Sequence, residues 1–127
     1  MSTTLPESPA LDPVAVEQLR AQFEGDVHVP SDPTYDEARL PWNRAFEQSP
    51  AVVVEPVSTD DVVVAMRFAR MTGLPVAVSA TGHGMARAAD GALLVLTRCL
   101  DRVEVDAGAR QARLGAGVHW GPVLDAA

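Results

Sequence analysis

The chain has 127 residues, 47% of them hydrophobic, which suits one modest globular core and leaves no room for separate cofactor and substrate domains. Ten basic residues, all arginine, stand against 17 acidic ones, giving a net charge of −7. That balance argues against nucleic acid or an anionic membrane as partner. Cys99 is the single cysteine, so an intrachain disulfide and a thiolate metal cluster are excluded. Neither a signal-peptide pattern nor a run of about 18 apolar residues is present, and a cytoplasmic location is expected.

Residues 1–10 are polar with two prolines and read as a disordered N-terminus. A helical lead-in wrapping the core is expected over 11–50. Asp12 before Pro13 pairs an N-cap acceptor with a proline at the first helical position, and Val16, Leu19 and Phe23 supply one apolar face before Gly25 stops the helix. Pro30, Pro33 and Pro41 then break any long element. Short helical turns are expected over Asp36–Leu40 and Asn43–Gln48, with Trp42 and Phe46 pinning the segment to the core.

The β-branched run Ala51–Glu55 reads as a buried strand. Ser58 and Asp61 have the spacing of a capping box and open a helix over Thr59–Thr72, which Gly73 ends. Val62, Ala65, Met66 and Ala69 form one stripe on it; Val64, Phe68 and Met71 form a second. Val76–Ser79 is the next strand. Strand, helix and strand make a right-handed βαβ unit, with Ala51–Glu55 and Val76–Ser79 expected as a parallel pair. Short strands follow at Ala92–Leu96, Arg102–Asp106 and Gln111–Gly115, then a helix from Trp120. The fold class is therefore α+β, a βαβ unit followed by a short-strand meander. Val53, Met66, Phe68, Val78, Leu94 and Val105 are its expected buried residues. An ending inside an amphipathic helix, Leu-Asp-Ala-Ala, reads as a truncated chain.

The stretch Val76–Gly84 carries the strongest functional signal. An apolar strand runs into Gly82-His83-Gly84, and glycines there permit positive φ, so that successive N–H groups can converge on one anion. Such a nest binds phosphate without Lys or Arg, and a pyrophosphate is the ligand it suggests. A tight surface turn with a solvated histidine accounts for the same residues. A Rossmann fingerprint fails, because Arg87 stands where its third glycine belongs and a turn follows instead of a helix. A Walker loop fails for want of lysine. His28, His83 and His119 lie too far apart for a ligand-spaced metal motif. Gly115-Ala116-Gly117 lets a backbone approach something closely.

From Pro50 onward the chain resembles the N-terminal part of the FAD-linked oxidases whose flavin domain is of the vanillyl-alcohol oxidase or p-cresol methylhydroxylase (PCMH) type, in the berberine bridge enzyme-like branch. The resemblance rests on the following pieces, which occur in order. They are Pro50-Ala51-Val52-Val53-Val54 with Pro56, Arg67-Phe68-Ala69-Arg70, Leu74 to Val78, Thr81-Gly82-His83-Gly84, Asp90 to Arg98, Arg102 to Asp106 and Gly115 to Gly121. Tyr35 to Asn43 fits the lead-in. Residues 51–127 would then be the N-terminal subdomain of an FAD-binding domain.

The resemblance implies that Ser79, Ala80, Thr81, Gly82, His83, Gly84 and Met85 wrap the FAD diphosphate and that His83 is the candidate covalent attachment residue. Arg87 would help neutralise the diphosphate, unless it is simply a solvated arginine. Gly115 and Gly117 would approach the flavin or ribityl chain, unless they are ordinary turn glycines. The chain departs from the family pattern in having no arginine ahead of the loop, where Ser79-Ala80-Thr81 stands. The family's second, cysteine attachment site and its catalytic base lie downstream, and Cys99 is not in the position of that cysteine. The implied activity is that of a flavin-dependent oxidase with dioxygen as acceptor, and its partners are FAD and the remainder of the flavoenzyme chain. A stand-alone α/β phosphate-binding module and an inactive fragment are the alternatives.

Overall fold

The structure is a computed structural model and describes residues 11–41, 43–83 and 87–127. The expected disorder of residues 1–10, the anchoring role of Trp42 and the contributions of Gly84 and Met85 fall outside these residues. Helices α1 (Pro13–Gln22), α2 (Tyr35–Arg39), α3 (Thr59–Thr72) and α4 (Trp120–Ala126) alternate with strands β1 (Asp26–His28), β2 (Val52–Glu55), β3 (Val76–Ser79), β4 (Leu93–Leu96), β5 (Val103–Asp106) and β6 (Gln111–Leu114). None of the described helices is long and apolar enough to cross a membrane.

The caps act as their residue types dictate. The Asp12 side chain accepts from the Val14 N–H at 2.9 Å, and Ser58 Oγ accepts from the Asp61 N–H at 3.2 Å. Asp61 does not complete a capping box by reaching back to Ser58. Its carboxylate, 2% exposed, accepts instead from the backbone N–H groups of Glu24 (2.8 Å), Gly25 (3.0 Å) and Val57 (3.0 Å). One side chain therefore ties the α1–β1 corner to the start of α3.

The expected fold class holds, a mixed α and β architecture, but its strand pairing differs from expectation. The sheet order is β1-β2-β4-β3, with β1 antiparallel to β2 and with β2 and β3 each parallel to β4. The runs expected to pair directly are thus parallel but separated by Leu93–Leu96, which is a central strand and not part of a meander. A strand that is buried at all four positions can sit between two others, and β4 is buried at all four. Among the described residues, β5 and β6 form an antiparallel hairpin in a separate two-stranded sheet. Asn43–Gln48 makes a turn closed by the Phe46 N–H on the Asn43 carbonyl, not a helix.

One sheet face packs Val52, Val54, Leu93 and Val95 against Leu19 and Phe23 from the α1 end and Ala65, Phe68 and Ala69 of α3. The other packs Val53, Leu94 and Leu96 against Tyr35 and Ala38 of α2 with Ala89 and Ala92. Val53, Phe68 and Leu94 are buried as expected, whereas Met66 (36% exposed), Val78 (65%) and Val105 (40%) are not. Met66 lies on the side of α3 turned away from the sheet. Val78 sits on an edge strand beyond the cover of α3, and Val105 is on the isolated hairpin.

Candidate functional site

The carboxyl ends of β2, β4 and β3 finish side by side at Glu55, Leu96 and Ser79. Ligands of open parallel sheets collect at this end. Ala80–His83 leaves β3 there. Gly82 is buried with φ 79°, a left-handed conformation that a side chain would strain, while Ala80, Thr81 and His83 are exposed. Thr81 Oγ1 lies 2.7 Å from His83 Nδ1 and accepts the His83 N–H at 3.4 Å, so the threonine orients the imidazole. The expected exposure of His83 is met. Arg87 is exposed as well.

The root of the loop is tied down by the neighbouring strand, because the Thr97 N–H donates to the Ser79 carbonyl at 2.9 Å. The same buried threonine donates through Oγ1 to the Ala116 carbonyl at 3.1 Å. Gly115 and Gly117 donate their N–H groups to the carbonyls of Arg102 (2.8 Å) and Leu100 (2.9 Å). A Cβ on Gly117 would stand 1.9 Å from the Thr97 carbonyl oxygen, and one on Gly115 2.1 Å from that of Leu100. The close approach expected of these glycines is made, and the backbone they approach is the chain's own 97–102 turn.

Sequence reasoning missed a polar network on the same end of the sheet. Glu55, buried at the end of β2, shares a 2.7 Å hydrogen bond with His28 Nε2, and Arg98 Nε donates to its other oxygen at 2.5 Å. His28 Nδ1 is 2.7 Å from Thr34 Oγ1. Asp26 brings to three the ligand-type residues whose donor atoms lie within 4.8 Å of one another. Both ring nitrogens of His28 and both oxygens of Glu55 are engaged, so the group is a satisfied structural network that pins β1 and the 97–102 turn to β2. No periodicity could announce it, since β1 has only three residues.

A cleft of about 770 Å³ opens at the opposite, amino end of the sheet, lined by Val16, Val29, Pro30, Tyr35 and Pro50. It is mainly apolar, and its Arg20 is committed to Asp32 at 2.7 Å. The backbone N–H of Val29 and the Arg20 guanidinium hold the Asp32 carboxyl below the usual carboxylate range, against the opposing effect of burial. Burial pushes the Tyr35 phenol up, and its hydroxyl donates to the Pro50 carbonyl at 2.6 Å. These groups organise the lead-in, far along the strands from His83.

The loop leaves the carboxyl end of a parallel strand, and no acidic residue stands between Ser79 and Arg87. The fold is that of the first part of a PCMH-type FAD-binding domain. Residues 50–127 match the family model described as FAD binding domain, and the chain belongs to that family. It is 28% identical over 104 residues to (R)-6-hydroxynicotine oxidase of Paenarthrobacter nicotinovorans, spanning 80% of this chain and 23% of that one. The crystal structure of 6-hydroxy-D-nicotine oxidase from Arthrobacter nicotinovorans matches with TM-score 0.70 at 30% identity, over 83% of this chain and 24% of that one. BBE-like 1 of Physcomitrella patens matches with TM-score 0.73 at 25% identity, over 84% and 24%. The chain thus spans about a quarter of the length of these relatives. It is an FAD-binding portion of the kind found in flavin-dependent oxidoreductases.

Proposed function

We propose that Ser79–Met85 holds the FAD diphosphate, that His83 is the residue through which a flavin can be covalently attached, and that Gly115 and Gly117 border the flavin or ribityl chain. The carrying observation is the loop itself, with left-handed Gly82 between exposed Thr81 and exposed His83 at the end of β3. Backbone N–H groups and the Thr81 hydroxyl take over the work of the arginine that the loop lacks. Arg87, exposed at the far side of the loop, adds the one positive side chain between Ser79 and Leu96. The net charge of −7 argues against nucleic acid as a partner.

When bound, FAD supplies the redox chemistry of an oxidase, acceptance of a hydride from a C–H next to an alcohol or amine with dioxygen as final acceptor. The chain's own residues bind and orient. No general base is assigned to them, and the chain spans about a quarter of the length of these relatives.

The experiment is acid precipitation of FAD-loaded protein, followed by a flavin spectrum of the pellet. Flavin in the wild-type pellet and none in that of His83→Ala is the expected result. Flavin retained in the His83→Ala pellet rules His83 out as the attachment residue.

A further inference from the structure

The Thr81-His83 loop and the Gly115–Gly117 segment are 32 or more residues apart in sequence, yet both hang on one buried residue. Thr97 uses every polar group it has for this purpose. Its N–H holds the Ser79 carbonyl at 2.9 Å, its Oγ1 holds the Ala116 carbonyl at 3.1 Å, and its own carbonyl accepts the Leu100 N–H at 2.8 Å. The last bond closes the turn whose Leu100 carbonyl in turn accepts the Gly117 N–H at 2.9 Å. Gly117 packs so closely on the Thr97 carbonyl that no side chain fits between them.

The turn is also braced from behind. Arg98, the next residue, is salt-bridged to buried Glu55, which His28 holds from the other side. Removing Arg98 or His28 leaves the buried Glu55 carboxylate short of a partner, so the turn is tied to β1 and β2 through that carboxylate.

We infer that Thr97 is a positioning residue for the cofactor: it sets the spacing between the diphosphate loop and the Gly115–Gly117 segment, and thereby whether the two can engage one FAD molecule together. The inference rests on the functional reading above. It assigns Thr97 no contact with FAD. A hydroxyl is required, and a β-branched methyl in its place is not sufficient, because the bond to the Ala116 carbonyl is what couples the second segment to the first. Thr97→Ser keeps that bond and Thr97→Val, of nearly the same shape, deletes it.

The test has two readouts on wild type, Thr97→Val and Thr97→Ser. The first is amide hydrogen exchange of the unliganded proteins by mass spectrometry. Faster exchange in peptides covering 115–118 in Thr97→Val, with Thr97→Ser close to wild type, is expected. The second is FAD affinity from quenching of flavin fluorescence, where about a tenfold or greater loss in Thr97→Val with rescue in Thr97→Ser is expected; a tenfold change corresponds to about 1.4 kcal/mol. Exchange and affinity both unchanged in Thr97→Val overturn the inference, as does equal damage in Thr97→Ser. Wild type that fails to bind FAD overturns the functional reading and the inference with it, whereas wild type that binds alongside an indifferent Thr97→Val overturns the inference alone. Should Thr97→Val not fold, Thr97→Ala serves as the hydroxyl deletion.

Discussion

Replacing Asp61 with alanine removes the acceptor of three backbone N–H groups at once. Those of Glu24, Gly25 and Val57 donate to its two oxygens at 2.8, 3.0 and 3.0 Å. Each orphaned donor costs about 1–3 kcal/mol when it stays buried, and less where water can replace the carboxylate. Glu24 is exposed and Gly25 half-buried, so the lower part of that range applies, and the sum is about 3 kcal/mol. Alanine returns a few tenths of a kcal/mol in helix propensity, which does not alter the outcome. Against a typical domain stability of about 5–15 kcal/mol, the loss takes a large share. Neighbouring Asp60 is exposed in the same first turn and serves as control: Asp60→Ala forfeits only the favourable charge near the helix N-terminus, about 0.3–1 kcal/mol. Urea unfolding followed by far-UV circular dichroism measures both. Equal midpoints for Asp61→Ala and Asp60→Ala contradict the assignment of Asp61 as the clasp between the α1–β1 corner and α3.

Tyr35→Phe leaves the buried Pro50 carbonyl without its 2.6 Å donor and is expected to cost about 1–2 kcal/mol by the same unfolding assay. Because the folded-state pKa of Asp32 is lowered, its contribution to stability is present above the unfolded value of about 3.9 and is lost as pH falls through the folded value. Unfolding measured between about pH 5 and pH 2 should accordingly show a weaker acid dependence in Asp32→Asn than in wild type. Phe68→Ala, at a position 4% exposed, is expected to cost about 3–5 kcal/mol, whereas Met66→Asp is expected to cost less than about 1 kcal/mol, since Met66 faces solvent. A larger loss for Met66→Asp than for Phe68→Ala on thermal melting contradicts the placement of α3 on the sheet.

What could be read from the sequence was what neighbours in the chain decide. Asp12 before Pro13 and Ser58 before the Thr59–Thr72 helix are local signals, and both side chains cap as expected, although the carboxylate of Asp61 binds elsewhere than Ser58. The short β-branched runs were legible as strands for the same reason. Their order was not, because Val52–Val54 and Leu93–Leu96 are both apolar throughout and pattern alone does not say which strand lies between the others. Met66 and Val78 were misplaced because an apolar residue announces affinity for a core without announcing which face of its element has one. The turn after β3 was legible from a strand that runs into Thr81-Gly82-His83, and Gly82 there is left-handed with His83 exposed beside it. The need for glycine at 115 and 117 was legible too, while its object, the 97–102 turn, is a long-range contact. His28, Glu55 and Arg98 meet only through β1–β2 pairing and the end of β4, and the hydrogen-bond partners of Thr97 at Ser79 and Ala116 lie 18 or more residues away.

The central claim is that the loop after β3 is where this chain holds FAD. Calorimetric titration of FAD into wild type and into Thr81→Asp tests it most directly. Thr81 is exposed, so the new carboxylate leaves the core untouched while opposing the diphosphate. Saturable FAD binding by wild type, lost in Thr81→Asp at an unchanged melting temperature, is the predicted result. Equal FAD affinity in the two proteins contradicts the account.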